Sequence, residues 1–392
     1  MRIGIDCSNA IGERTGTGQY TFNLVSALSK IDKKNRYLLY PFLYYVFNNN
    51  YKEKAAELPN TDNFKIAFKK IPFPAVLLRR LWIEKISAGL KEFMLGKVDI
   101  VHSTTFCAPK FKNKKKRLVE TIYDLTVLTH PECHQKHNVD HCLKGIRNAI
   151  NYADALIAIS EHTKNDLINY LNAPPELITV TPLAADPDYR EITDSSVLGA
   201  VRKKCSLPQN FVLFVGSLEP RKNVRTLLKS YAALPENIKK EFSLVIAGAS
   251  GWLNSDIPAL VKELRIEDIT VFPGFIDKGD LNALYSAASL FVYPSLYEGF
   301  GLPILEAMAC GTPVITSNTS SMPEVAGDAA RLIDPTDTDE LASALEDILT
   351  DEAIRNKMRK KGLDRASLFS WEKCARETLA VYEKVYANPR RV

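Results

Sequence analysis

Glu298-Gly299-Phe300-Gly301-Leu302-Pro303-Ile304-Leu305-Glu306, followed at once by Ala307-Met308-Ala309-Cys310-Gly311-Thr312-Pro313, lies between two short apolar runs, Leu290-Phe291-Val292-Tyr293-Pro294 and Val314-Ile315-Thr316. Each run has the length and composition of a buried strand, so the stretch reads as strand, glycine-rich turn, helix and strand. Gly299 and Gly301 lack Cβ, which frees the backbone dihedrals and lets a ligand approach the N–H groups. Pro303 suits a first helical turn and places Glu306 about one turn further in. Glu298 then stands at the mouth of the loop and Glu306 near the same crevice. Two carboxylates beside a helix N-terminus suit a ligand with hydroxyls for the carboxylates and an anion for the N–H groups. The plainer alternative is a tight connection with two solvated glutamates.

The same alternation runs through the second half of the chain. Strands are expected at Phe211 to Val215, Leu244 to Ala247 and Ile269 to Phe272, with helices at Ile257 to Leu264 and Asp280 to Ala287 between them and the opening stretch. Units of this length imply a parallel, doubly wound sheet whose ligands bind outside the carboxyl ends of the strands. At one such end stands Gly216-Ser217-Leu218-Glu219-Pro220-Arg221-Lys222-Asn223. Arg221 and Lys222 emerge beside a helix start, with Asn223 as its cap, so two cations and a helix dipole serve one anion. Helices at Asp337 to Leu349, Glu352 to Leu368 and Trp371 to Tyr386 close the chain.

The first half is also α/β. Arg2 to Asp6 reads as a strand leading through Ser8 to Gly18 into a helix from about Gln19 to Ser29; a loop carrying Gly16 and Gly18 there can cradle a phosphate or simply flex. Further strands are expected near Tyr37 to Leu43, Phe64 to Phe68, Val98 to His102, Arg117 to Tyr123, Ala155 to Ile159 and Leu177 to Pro182. Ser160 is placed to cap a helix running to Tyr170. A basic amphipathic helix from about Ala75 to Leu95 either packs on its own domain or lies on a membrane surface. The run Lys110 to Arg117 reads as a solvated loop or a site for anionic headgroups. His130, Cys133, His134, His137, His141 and Cys142 crowd together, and Cys133, His137 and His141 share a helical face, as a solvated surface or a zinc site.

At 392 residues the chain is too long for one core. We expect domains at 1–190 and 191–370, with 371–392 as a terminal helix and Asp186 to Ser196 as the linker. Composition, 46% hydrophobic and 25% charged, is that of a globular protein without a membrane span, and Met1-Arg2-Ile3-Gly4-Ile5-Asp6 reads as a strand and not a signal peptide. Seven scattered cysteines do not make a disulfide framework. A cytoplasmic location is the expectation. Residues 1–190 carry 27 Lys and Arg against 19 Asp and Glu, and the rest 24 against 27, so the +5 net charge divides as +8 and −3. A basic first half facing an anionic partner follows. No aromatic platform accompanies the basic run, which argues against nucleic acid.

Glu298 and Glu306, the Gly-Phe-Gly-Leu-Pro between them and the Ala-Cys-Gly-Thr-Pro-Val sequel resemble the paired-glutamate motif of the family-four retaining glycosyltransferases, also called group 1. Glu-Pro-Arg-Lys-Asn at 219–223 resembles that family's diphosphate clamp. The resemblance spans the chain, most strongly from Phe211 to Pro335, and implies the GT-B fold, two Rossmann-like domains facing a central cleft. It implies that Arg221 and Lys222 stabilise a departing diphosphate and that Glu306 holds ribose hydroxyls. Glu298 and the amides of Gly299, Phe300, Gly301 and Leu302 would orient the sugar, and Ser217, Gly274, Phe275 and Ile276 would line the nucleotide pocket. Gly16 and Gly18 would lie beside the diphosphate and acceptor. The family's usual His-Asp-Leu is Tyr123-Asp124-Leu125 here, so Asp124 or Tyr123 would contact the sugar, through a phenol instead of an imidazole. The final helix would pack back on the first domain.

The reaction so implied is transfer of a hexose from a nucleotide diphosphate sugar to a saccharide or lipid-linked acceptor, with retention by front-side displacement. No essential metal and no other cofactor are expected. The pattern is nearest to bacterial O-antigen and capsule mannosyltransferases, with GDP-mannose as donor and peripheral contact with the inner membrane. A UDP-sugar transferase, a nucleotide-sugar epimerase of the same architecture and a catalytically weak binding relative are the alternatives.

Overall fold

The computed structural model describes residues 1–12, 14, 16–40, 51–67, 95–105, 109, 111, 116–248 and 256–388, with residues 51, 52 and 137 described in backbone only. The basic helix expected from Ala75 lies outside them, as do the cations at 110, 112, 114 and 115. The described chain forms two units, Met1–Leu183 with Ser370–Val392, and Ala184–Phe369.

The first unit is built on a parallel sheet of β1 (Arg2–Asp6), β2 (Arg36–Tyr40), β3 (Phe64–Ile66), β4 (Ile100–Ser103), β5 (Arg117–Ile122), β6 (Ala155–Ala158) and β7 (Ile178–Val180), in the order β3-β2-β1-β4-β5-β6-β7. Helices cover both faces, which is why central strands such as Ala155–Ala158 are buried throughout and lack polar alternation. The helices relevant here are α1 (Gly16–Ile31), α2 (Lys136–Tyr152) and α3 (Glu161–Leu171). Ser160 caps α3, its Oγ accepting from the Thr163 N–H at 3.0 Å. The end of the basic run is internal and not a solvated loop. Lys116 is buried with its ammonium on the Gly96 carbonyl at 2.5 Å, and Arg117 pairs with Asp154 at 3.0 Å.

The second unit repeats the plan with β8 (Phe211–Val215), β9 (Ser243–Ala247), β10 (Thr270–Gly274), β11 (Leu290–Tyr293), β12 (Val314–Ser317) and β13 (Arg331–Ile333), parallel in the order β10-β9-β8-β11-β12-β13. Its helices include α4 (Ser195–Lys204), α5 (Val224–Ala232), α6 (Lys278–Ala287), α7 (Leu302–Ala309), α8 (Thr338–Thr350) and α9 (Glu352–Ser367). The chain passes into this unit at Ala184, earlier than the 190/191 boundary expected from sequence, because the aperiodic segment bonds to α6. The Arg190 N–H donates to Asn282 and the Ile192 N–H to Ser286. Part of the expected linker is helix: α4 starts at Ser195, capped by Asp194.

The last helix, α10 (Trp371–Ala387), belongs to the first unit and packs along α1. Its Tyr382 hydroxyl meets His102 Nδ1 at 2.6 Å. His102 Nε2 lies 2.7 Å from Thr121 Oγ1, which the Tyr20 hydroxyl also reaches at 2.9 Å. Among the described residues no helix is long and apolar enough to cross a membrane.

Candidate active site

In each sheet the strand order reverses direction once, between β1 and β4 and between β8 and β11, and ligands of open parallel sheets bind at the carboxyl ends flanking such a reversal. In the second unit the two segments leaving that point are Gly216–Asn223 after β8 and Pro294–Gly301 after β11. The topology therefore brings the basic pair and the first glutamate together from opposite sides of the reversal.

Glu298 is buried, not at the mouth of its loop, and its Oε1 gathers three donors. Arg221 Nη1 lies at 2.7 Å, Lys222 Nζ at 2.7 Å and the Tyr293 hydroxyl at 3.0 Å. Lys222 also bonds the Tyr293 hydroxyl, and Arg221 donates to the Tyr297 carbonyl at 2.7 Å. Burial opposes ionisation of Glu298, but Arg221 and Lys222 outweigh it and hold the carboxyl at about 2. Burial likewise lowers the Lys222 ammonium, with Glu298 pulling it back. Glu298 thus compensates both cations, and Arg221 has a second carboxylate in Glu219 at 3.5 Å. Ser217 is engaged locally, its hydroxyl donating to Glu219 at 2.6 Å.

The turn after Glu298 is held from the β12 side. The Glu298 N–H donates to Ser320 Oγ at 3.0 Å, and Ser321 Oγ lies 2.8 and 2.9 Å from the carbonyls of Glu298 and Phe300. Gly301, at φ +98°, takes the left-handed turn that starts α7 at Leu302. Gly299 and Phe300 are buried in this turn. Glu306, on α7, accepts from the Tyr285 hydroxyl at 3.0 Å. Its partial burial raises the carboxyl to about 7, Tyr285 and Lys278 pulling down and Asp186 pushing up.

Asn223 occupies the position before α5 without capping it: its amide donates to the carbonyls of Pro294 at 3.1 Å and Pro335 at 2.7 Å, tying the two loops to a third. At the end of β10, Gly274 sits at φ +77°, Phe275 is 67% exposed and Ile276 is buried. Gly248, after β9, bonds the Gly274 carbonyl at 2.8 Å and lies so close to Gly216 that a Cβ would fall 1.9 Å from its carbonyl oxygen.

In the first unit, Gly16 and Gly18 stand in the first turn of α1 and not in a free loop. Gly16 has open space where a Cβ would point, whereas a Cβ on Gly18 would fall 2.3 Å from the Asn9 carbonyl oxygen. Gly18 is thus a packing requirement of the helix start. Tyr123 is buried and donates its hydroxyl to the Thr104 carbonyl at 2.8 Å, so its phenolic proton is spent inside the unit and not offered to a sugar. Asp124 Oδ1 accepts from the Thr126 N–H at 2.9 Å and opens the short helix that follows. Among the described residues no three His, Cys, Asp or Glu side chains gather as a metal site. The side chain of His137 lies outside them.

Sequence reading missed Tyr293 and Tyr285, whose hydroxyls reach Glu298 and Glu306, and Tyr189, whose ring meets Tyr285; all three look like core. It also missed Glu120, buried on β5 with Oε2 unpartnered and its carboxyl pushed well up by burial. A carboxylate following Leu118 and Val119 in a strand was the available signal.

Residues 202–365 match the family model described as glycosyl transferases group 1, and residues 15–189 that of glycosyltransferase family 4. The chain is 32% identical over 371 residues to the O-antigen chain mannosyltransferase B of Escherichia coli, covering 94% of this chain and 96% of that one. In fold it is similar to the sucrose-phosphate synthase of Thermosynechococcus elongatus, at TM-score 0.76 and 22% identity over 99% of both chains. It is also similar to Anabaena HepE, solved with UDP and glucose, at TM-score 0.73 and 19% identity over 97% of this chain and 99% of that one. On these matches and on its two parallel-sheet units, the chain belongs to the group 1 glycosyltransferases and is a glycosyltransferase of the GT-B fold.

Proposed function

We propose that this enzyme transfers mannose from GDP-mannose to a saccharide or lipid-linked acceptor, with retention at the anomeric carbon, in assembly of a bacterial surface polysaccharide. The observation that carries the reading is the convergence of Arg221 and Lys222 at the strand-order reversal, held charged and in place by Glu298. Fixed cations at the carboxyl ends of β8 and β11 suit a leaving diphosphate, whose negative charge grows as the glycosidic bond breaks. Glu298 is then a positioning residue for both cations, and Glu306 receives the ribose hydroxyls. The acceptor oxygen attacks the anomeric carbon on the face the diphosphate leaves, and the departing phosphate oxygen takes the acceptor's proton. Protein cations replace a metal in this scheme. The name of the relative, O-antigen chain mannosyltransferase B, supports mannose and the polysaccharide setting.

A thermal-shift panel of GDP, UDP, ADP and TDP with their sugar conjugates tests it, since a ligand of the folded state alone stabilises by about 2.7 kcal/mol at roughly a hundred times Kd. Stabilisation by GDP and GDP-mannose is expected. Stabilisation by UDP compounds instead overturns the donor, and no response to any nucleotide overturns the reading of the site. The anomeric configuration of the product, read by NMR, tests retention.

A further inference from the structure

The segment Ala184–Ile192 reaches Tyr285, the hydroxyl partner of Glu306, from a side the reaction scheme leaves unused. Asp186 pairs with Lys278 of α6 at 2.6 Å. A few residues on, the Tyr189 ring meets the edge of Tyr285, centroids 5.8 Å apart at 72°. Tyr285 is wedged by Phe291 as well, at 5.3 Å and 78°, and donates its hydroxyl to Glu306. We propose that this segment is a positioning element for Glu306, in which Asp186 ties the segment to α6, Tyr189 and Phe291 fix Tyr285, and Tyr285 fixes the carboxylate. The inference rests on the reading of Glu306 as the group that receives the ribose hydroxyls.

The titratable groups around Glu306 come from three elements, and Asp188 of the entering segment also lies 4.0 Å from Lys278. Tyr285 and Lys278 belong to α6, Asp186 and Tyr189 to the entering segment, and Cys310 follows α7 itself. Burial and Asp186 oppose ionisation, while Tyr285 and Lys278 favour it. A carboxylate accepts from two hydroxyls of a diol, whereas a carboxylic acid gives up part of that capacity to its own proton. Nucleotide affinity therefore rises with pH to a plateau, and roughly one pH unit below the midpoint it is about tenfold weaker, because only the ionised fraction is competent.

The test is the affinity of the full-length chain for GDP, and in parallel for UDP, by calorimetry across neutral pH. Asp186→Asn is expected to move the midpoint down, and Lys278→Gln to move it up. Tyr285→Phe also moves it up, with weaker binding at the plateau. Tyr189→Leu, which removes the ring contact with Tyr285, binds more weakly than the parent. Opposite movements from the two members of one ion pair are not what lost structure would produce, and circular dichroism confirms that each variant is folded. A Tyr189→Leu variant equal to the parent overturns this inference alone, as does a Tyr285→Phe variant with the parent's midpoint and plateau affinity. Failure of the parent chain to bind any nucleoside diphosphate overturns the reading of the site and this inference with it.

Discussion

One oxygen of Glu298 carries the charge balance of the second unit's site, with Arg221, Lys222 and Tyr293 all donating to it. Replacing it by glutamine keeps the shape and removes the charge, leaving the buried Lys222 without its carboxylate while Arg221 retains Glu219 at 3.5 Å. Breaking a buried pair in this way costs about 3–5 kcal/mol. Glu298→Gln is therefore expected to lower the urea midpoint as well as turnover, which equilibrium unfolding checks. Arg221→Met and Lys222→Met bear on chemistry more directly: each is expected to reduce kcat by about 10²–10³ with a smaller change in KM, the magnitude of losing one preorganised donor to transition-state charge. Gly301→Ala, at φ +98°, places a side chain in the left-handed region and should cost about 1–3 kcal/mol, measurable as a lowered Tm.

Among the elements, α10 is held on the first unit by a polar thread as well as by its apolar face. Cys374, Ala375, Val381 and Tyr382 are buried, and Tyr382 reaches the ring of His102. Tyr382→Phe leaves His102 Nδ1 buried without its partner, at a cost of about 1–3 kcal/mol. The expected outcome is a lower Tm together with faster proteolysis near the C-terminus than in the parent. At the start of α1, Gly18→Ala would drive a methyl into the Asn9 carbonyl, a backbone atom that cannot swing aside, so a shifted helix start and reduced stability are expected.

For the whole molecule, acid stability follows from two groups whose protonation folding suppresses. Burial holds His102 at about 3, against an ordinary value of roughly 6.5. Between those values the unfolded chain binds a proton that the folded chain refuses, so stability falls as the pH falls, by about 1.4 kcal/mol per pH unit from this group. Glu298, held at about 2 against its ordinary 4.5, adds a second loss as the pH drops through that lower window. Glu306 works in the opposite sense: raised to about 7, it withdraws stability as the pH rises from about 4.5 to 7. Between about pH 6.5 and 4.5 the His102 and Glu306 contributions offset each other, so the expected outcome in thermal melts recorded across pH is a steep loss only below about pH 4.5, whose most acidic part Glu298→Gln should flatten.

Two parallel α/β sheets were legible from the alternation of apolar strand runs with helical segments, because parallel strands buried on both faces must be apolar throughout. Strands such as Phe211–Val215 lie where the pattern puts them, and the paired glutamates with their glycines marked a turn at a strand's carboxyl end. The pattern could not show what each side chain does there, because periodicity reports which face is buried and not which polar atoms meet across it. Only the tertiary structure decided that Glu298 turns inward to the cations while Glu306 meets Tyr285. It also decided that Tyr123 spends its phenol on the Thr104 carbonyl, that Lys116 is buried, and that Gly18 is required by the Asn9 carbonyl. These outcomes depend on contacts between residues far apart in the chain, brought together by the order of strands in a sheet. That order is set by the packing of the whole unit, and no local stretch of sequence contains it.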